Sequence, residues 1–208
     1  VDKRISYEAG KLDESSVARD PFAQFAQWFQ AAADAGFREP AAMTLATASP
    51  DGRPSARIVL LRGQDERGFI FFTNYESRKG RELESNPRAA LVFYWDILER
   101  QIRIEGVIAG LEPSASDDYF AQRPRGHRLS AWASKQSEIV RDRASLEAQA
   151  ACCDERFAGM EVERPPYWGG YLLAPTFFEF WQGRPDRIHD RIAYVPRDPG
   201  WRIERLSP

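Results

Sequence analysis

The chain changes its hydrophobic rhythm twice. Asp20-Pro21 offers a capping carboxylate and a proline at the first helical position, and Phe22, Phe25, Ala26, Phe29, Ala32 and Ala33 then recur at helical spacing up to Gly36. This predicts one amphipathic helix. From there to about residue 111 the period shortens to that of strands, over 42–48, 55–62, 68–73, 89–95 and 100–111, with turns at Pro50-Asp51-Gly52 and across 63–68. The runs lie too close together for crossover helices, so the sheet is expected to be mainly antiparallel. Ser77 ahead of Arg78, Lys79, Arg81 and Glu82 predicts a short capped helix, and further helices fit 113–122 and 144–157. After Pro165-Pro166 the strand rhythm returns at 171–173, 177–182, 187–194 and 201–206. Short antiparallel strands, few helices and no linker predict one mainly β (α+β) domain over residues 1–208, a β-barrel with peripheral helices.

Charge narrows the partners. Lysine plus arginine (29) nearly balances aspartate plus glutamate (31), a formal net charge of -2, so no general affinity for nucleic acid or a membrane surface is expected. The arginines are nevertheless grouped: Arg57 and Arg62; Arg78 with Lys79 and Arg81; Arg123, Arg125 and Arg128; Arg184, Arg187 and Arg191. Such groups point to small anions, and phosphate suits the guanidinium fork. The two cysteines, Cys152 and Cys153, are adjacent, which predicts neither a disulfide framework nor a CxxC pair, and a reduced, cytoplasmic setting is expected. No apolar run is long enough to span a bilayer. The chain opens on Val1 rather than methionine, read as trimming of a few residues.

Only two histidines, His127 and His189, are present, and there is no HExxH, GxSxG, GxGxxG or GxxxxGK[ST] pattern. No metal site is expected, and catalysis is expected to use a borrowed cofactor. Ser77-Arg78-Lys79 would suit a phosphate on that cofactor through the serine hydroxyl, helix-start N–H groups and two cations. An ordinary capped, exposed helix is the alternative. Glu179 to Gly183 followed by Arg187 to Arg191 is the densest chemistry. If 187–191 is extended, Arg187, His189 and Arg191 share one face at roughly 6 to 7 Å intervals, able to grip an anion and hold one titratable group against a reacting carbon. An exposed, salt-bridged strand edge is the other reading.

Further motifs occur in order: residues 56–61 (ARIVLL), Phe72-Thr73-Asn74 before Ser77-Arg78-Lys79-Gly80, Leu98-Glu99-Arg100-Gln101, Tyr119-Phe120 with Arg123-Pro124-Arg125, Ser134-Lys135-Gln136-Ser137, and Trp168-Gly169-Gly170. With them the chain, from about residue 4 to Pro208, resembles the pyridoxine/pyridoxamine 5'-phosphate oxidase family. The resemblance implies an FMN-binding split β-barrel working as a homodimer, each flavin lying between subunits. It implies FMN contacts at Arg57, Ile58, Val59, Leu60, Leu61, Arg62, Phe72, Thr73, Arg78, Lys79, Gln101, Gln136, Ser137, Trp181 and Arg191. For the phosphate of pyridoxine 5'-phosphate or pyridoxamine 5'-phosphate it implies Arg62, Tyr119, Arg123 and His127, with Arg4 and Tyr7 in an N-terminal segment, within 1–19, that either is flexible or covers the site. Arg187 and His189 are implied beside the substrate ring, Arg187 for positioning and His189 for hydrogen bonding or proton removal. The implied reaction passes a hydride equivalent to the flavin, gives pyridoxal 5'-phosphate, and returns the electrons to O2 as hydrogen peroxide. Two positions depart from the family pattern: Arg62 stands where lysine is usual and His127 where serine is usual. They leave room for a related flavin oxidase acting on another ring compound, such as a phenazine precursor. A non-catalytic flavin or pyridoxal-phosphate binding module is the third reading. Strand alternation would put Arg57 and Arg62 on opposite faces, so serving one ligand together requires twist, backbone contacts or a partner subunit.

Overall fold

Side-chain alternation builds the sheet. The protein is described by a computed structural model that covers residues 6–208. In β1 (Ala42–Ala48), Met43, Leu45 and Thr47 are buried while their neighbours are half-buried, as expected of a strand with one face on a core. The sheet also contains β2 (Pro54–Leu60), β3 (Gly63–Asp65), β4 (Gly68–Asn74), β5 (Arg88–Trp95), β6 (Arg100–Gly110), β7 (Trp168–Gln182), β8 (Asp190–Pro196) and β9 (Trp201–Arg205). Every pairing is antiparallel.

The strand order β2-β1-β5-β6-β7-β4-β3 places β2 and β3 at opposite ends of the path, yet only Leu61 and Arg62 separate them in the chain. The path must therefore curl back on itself. The Leu61 N–H donates to the Ala41 carbonyl at 2.9 Å and the Arg62 N–H to the Ile70 carbonyl at 2.8 Å, which fastens the closure. β7 divides the barrel: residues 168–173 pair with β4, residues 178–182 pair with β8, and its other edge follows β6 from Tyr171 to Gln182. The β8–β9 ribbon so splays from the closed part. The strands expected at 171–173 and 177–182 are thus one strand, running through Pro175. The register slips between Glu105 and Gly106, opposite this proline, and a bulge tolerates a residue without an N–H.

Among the described residues five α-helices lie outside the sheet: α1 (Pro21–Asp34), α2 (Arg78–Ser85), α3 (Pro113–Ala121), α4 (Arg125–Ala133) and α5 (Arg143–Arg156). Asp20 caps α1 by accepting from the Phe22 and Ala23 N–H groups. α1 buries Phe25, Trp28 and Ala32, whereas Ala26 and Ala33 stay exposed, so the apolar face is rotated toward Trp28 from the one expected. Phe25 meets Phe69 edge-on at 4.8 Å and Phe93 at 5.2 Å, and Trp28 meets Phe180 at 5.3 Å. A second core of Phe120, Leu129, Ala131, Phe157, Val162 and Trp168 holds α3, α4 and α5 against the start of β7.

Phe25 is 1% exposed and bridges α1 to two strands. Phe25→Ala is expected to lower unfolding free energy by about 3 to 5 kcal/mol, read from urea midpoints. A loss below about 1 kcal/mol would contradict its role as the pin between helix and barrel.

Candidate active site

A cleft of about 1150 Å3 opens between β2, β4, the first turn of α2, α3, α4 and the loop at 134–137. It collects most of the residues expected at a site: Arg57, Ile58, Val59, Leu60, Arg62, Phe72, Thr73, Arg78, Lys79, Tyr119, Arg123, His127, Gln136 and Ser137. Arg57 and Arg62 both face it. The alternation that would separate them does not apply, because β2 ends at Leu60 and the chain turns toward β3. Leu61 is 8% exposed and packs into the core instead of lining the cleft.

One end of the cleft is built on α2. Lys79 is buried, and its Nζ donates to Gln136 Oε1 at 2.9 Å, Thr73 Oγ1 at 3.2 Å and Ser77 Oγ at 3.4 Å. Burial, reinforced by the neighbouring Arg57 charge, lowers its pKa to about 8. Arg57 donates to Thr47 Oγ1, Ser55 Oγ, the Leu45 carbonyl and Glu82. The Ser77 hydroxyl is not free for a ligand, contrary to the expected cradle: it accepts from the Gly80 N–H and donates to the Asn74 carbonyl. The Arg78 N–H is also engaged, by Ser137 Oγ at 3.1 Å. Ser137 holds a left-handed backbone, φ 76, a conformation uncommon outside glycine that recurs at ligand-holding loops. The side chains of Arg57, Arg78 and Lys79 are the cations this end of the cleft offers.

The other end carries a second set of cations. Phe72 stacks on Tyr119 at 3.8 Å and on Trp168 at 5.6 Å. Arg123 lies over Trp168 at 4.5 Å, and its Nη1 is buried without a hydrogen-bond partner. Burial lowers the Arg123 pKa, with a further lowering from the charge of Arg62. Two arginines that repel each other, one with an orphaned donor, make a site short of an anion. His127 enters the cleft from α4, a helix that was not expected; it follows Pro124 with no side-chain cap.

The remaining expected residues lie elsewhere, apart from Arg4, which falls outside the described residues. Gln101, Trp181 and Arg191 are direct cross-strand neighbours, in a row that starts at the exposed Tyr94 of β5. Arg191 donates to Glu179 Oε1 at 2.7 Å and to the Ser207 carbonyl at 2.7 Å. His189 packs on Trp181 at 4.8 Å, and Tyr7 meets both rings, at 5.7 Å from Trp181 and 5.6 Å from His189. The shared face expected for Arg187, His189 and Arg191 is not formed. Pro185–Arg187 is a 3-10 turn with Asp186 and Arg187 at φ 55 and 63, and β8 begins only at Asp190. The physical reason is Pro185, whose fixed φ starts a turn that the Ile188 N–H closes onto its carbonyl. None of Tyr7, Gln101, Trp181, Arg187, His189 and Arg191 lines the main cleft.

Residues not anticipated are Ser55, Asn74, Gln122, Ser130, Ser134 and Trp168 on the cleft wall, Tyr94 at the end of the row, and Glu82 beneath the cations. The i,i+4 spacing of Arg78 and Glu82 was the available signal for the last of these.

A closed antiparallel barrel with a splayed C-terminal ribbon and a cleft cationic at both ends is the split-barrel class of cofactor-binding proteins. Residues 29–155 match the family model for pyridoxamine 5'-phosphate oxidase, and residues 168–208 match the model for the pyridoxine 5'-phosphate oxidase C-terminal dimerisation region. The chain is 59% identical to a pyridoxine/pyridoxamine 5'-phosphate oxidase of Burkholderia lata, over 100% of this chain and 98% of that one. It is 55% identical to the corresponding protein of Rubrobacter xylanophilus, over 99% and 94%. Among solved structures, PhzG of Burkholderia lata, in complex with tetrahydrophenazine-1-carboxylic acid, superposes with a TM-score of 0.88 at 36% identity, covering 95% of this chain and 98% of that one. The chain belongs to the pyridoxine/pyridoxamine 5'-phosphate oxidase family.

Gly80 places Lys79 correctly, because a Cβ there would lie 1.9 Å from the Tyr75 carbonyl oxygen. Gly80→Ala is expected to cost about 1 to 3 kcal/mol of stability by forcing the first turn of α2 outward. An unchanged urea midpoint would contradict the close approach.

Proposed function

We propose that the protein is an FMN-dependent oxidase that converts pyridoxine 5'-phosphate and pyridoxamine 5'-phosphate to pyridoxal 5'-phosphate, with O2 as acceptor and hydrogen peroxide as product. The observation that carries this reading is one cleft with two separate cationic groups, Arg57–Arg78–Lys79 and Arg62–Arg123. Two phosphate-bearing molecules, held side by side, would satisfy both.

The residues present fit FMN. Its phosphate would offset the desolvated Lys79 and the neighbouring Arg57 and Arg78, and Thr73, Gln136 and Ser137 would complete the polar wall. Ile58, Val59 and Leu60 line the same cleft as consecutive strand residues, so strand backbone as well as apolar side chain is open to a ligand there. When bound, FMN supplies the two-electron acceptor that O2 regenerates. The substrate phosphate would pair with Arg123 Nη1, Arg62, Tyr119 and His127.

Gln101, Trp181, Arg187, His189 and Arg191 lie off this cleft, so in this reading a partner subunit presents them to it in a homodimer, as the match of residues 168–208 to a dimerisation region supports. Their roles then divide. Arg191, held by Glu179, and Gln101 would hold polar atoms of the flavin. Arg187 would orient substrate electrostatically. His189 accepts the Arg184 N–H at Nδ1, 3.1 Å, so its neutral ring carries the proton on Nε2 and offers a donor there. That geometry favours a hydrogen-bonding role for His189 over proton removal. Tyr7 would cover the ring site by its packing on Trp181 and His189. The free thiols of Cys152 and Cys153 fit a reducing, cytoplasmic setting.

A second reading, oxidation of another ring compound, draws on the likeness to PhzG and on Arg62 and His127. The bulkier guanidinium and the imidazole keep a phosphate site cationic but change its shape. Identity of 55–59% to the phosphate oxidases, against 36% to PhzG, favours the first reading.

Aerobic incubation of the FMN-loaded protein with each vitamer phosphate, following pyridoxal 5'-phosphate and peroxide together, is expected to give both products in equal amounts. Anaerobic flavin that neither substrate bleaches would sink the assignment and turn attention to other ring substrates. Arg187→Ala is expected to lower kcat/KM by about 100-fold with FMN retained. Equal kcat/KM for variant and parent would remove Arg187 from the site.

A further inference from the structure

Glu82 is a buried carboxylate one turn along α2 from Arg78, set beneath the cationic end of the cleft. Its Oε1 accepts from Arg78 Nε at 2.8 Å, and its Oε2 accepts from Thr47 Oγ1 at 2.5 Å, Ser55 Oγ at 2.6 Å and Arg57 Nη2 at 3.2 Å. Burial works against its charge, but the bonds from Ser55, Thr47, Arg78 and Arg57 outweigh it and hold the pKa down at about 2. A fixed negative charge beside an anion site should weaken the site by Coulomb's law, so its retention there needs a compensating gain.

The bonding pattern supplies that gain. Arg57 is fixed along its inner edge by Leu45, Thr47, Ser55 and Glu82, and Arg78 is fixed through Nε. Neither guanidinium has to be ordered when a ligand arrives. Charge is balanced as well: Arg57, Arg78 and Lys79 against Glu82 leave two positive charges, the complement of a phosphate monoester carrying about -1.5 to -2 at pH 7. We infer that Glu82 is a positioning residue for the flavin phosphate, aiming Arg57 and Arg78 into the cleft and offsetting the charge that Arg57 places on Lys79. This inference rests on the FMN reading above.

Lys79 reports on the arrangement. The groups set against it are Arg57 from β2, Ser77 from α2, neutral Thr73 from β4, and neutral Gln136 from a loop that also carries exposed Lys135; Arg57 is in turn paired with Glu82 and Arg78 with the same carboxylate. With a pKa of about 8 in the free protein, Lys79 is charged below that pH and phosphate binds without proton uptake. Above it, binding must recharge the amine, so Kd rises by up to about tenfold per pH unit. Glu82 acts on that break through its partner: with the carboxylate neutralised, the Arg57 charge that already lowers Lys79 stands unpaired, which moves the break to lower pH.

The test is titration of apoprotein with FMN by flavin fluorescence from about pH 6 to about pH 9.5, with riboflavin, which lacks the phosphate, in parallel. Glu82→Gln is expected to raise the FMN Kd about tenfold at neutral pH, move the break downward and leave the riboflavin Kd unchanged, with Glu82→Asp closer to the parent. An unaltered or tighter FMN Kd with an unmoved break overturns the inference, even if the variant is less stable. If the parent protein binds FMN no better than riboflavin, the flavin-phosphate reading fails first and the inference with it.

Discussion

Two residues close the barrel. Because Leu61 and Arg62 alone join β2 to β3, the ends of a strand path that otherwise runs through β1, β5, β6, β7 and β4 are held side by side. Their N–H groups reach Ala41 and Ile70 and lock the closure. The same junction buries Leu61 in the core and delivers Arg62 to the cleft. Site and fold are thus set by one short link: β2 and β4 are brought together, α2 follows β4 directly, and the cations of its first turn sit beside Arg57.

Charge is concentrated where the fold can least solvate it. Lys79 is desolvated, Arg123 has a donor without an acceptor, and each stands near a second cation. Paired surface charges would contribute little either way, but these groups cost stability until an anion arrives. The cleft is accordingly organised for its ligands at the expense of the free protein, a common pattern at functional sites. Glu82 lessens that cost on one side. On the Arg62–Arg123 side no carboxylate forms an ion pair with either arginine among the described residues, which leaves that end the more dependent on its ligand.

Much of the fold was legible because single strands announce themselves. Alternation marked β1 at its observed bounds, and Asp20-Pro21 marked the start of α1. What local pattern could not show was pairing. The alignment of Tyr94, Gln101, Trp181 and Arg191 comes from register across four strands, to which no one segment testifies. Pro175 read as a break because the bulge that absorbs it lies on another strand. α4 was missed because Arg125-Gly126-His127 has neither cap nor apolar stripe, its helicity coming from Leu129 and Ala131 packing on Phe157 and Trp168. Arg187-Ile188-His189-Asp190-Arg191 imitated a strand, since alternation of charged and other residues satisfies a period of two whatever the backbone does. Pro185 was the contrary signal. The candidate site was legible through resemblance as a set of residues; its division into a cleft and a row outside that cleft was not.

In the proposed function neither group suffices, and each working site would take the cleft of one chain and the row of another. The direct test mixes two inactive variants, Lys79→Met, which damages the cleft, and Arg187→Ala, which damages the segment beside the row, after dissociation and reassociation. In a mixed dimer one site carries both defects and the other carries neither. Random pairing makes half the dimers mixed, so about a quarter of parental activity should return. If activity stays at the level of the separate variants while mixed dimers are present, cleft and row belong to the same chain's site, and the account is wrong.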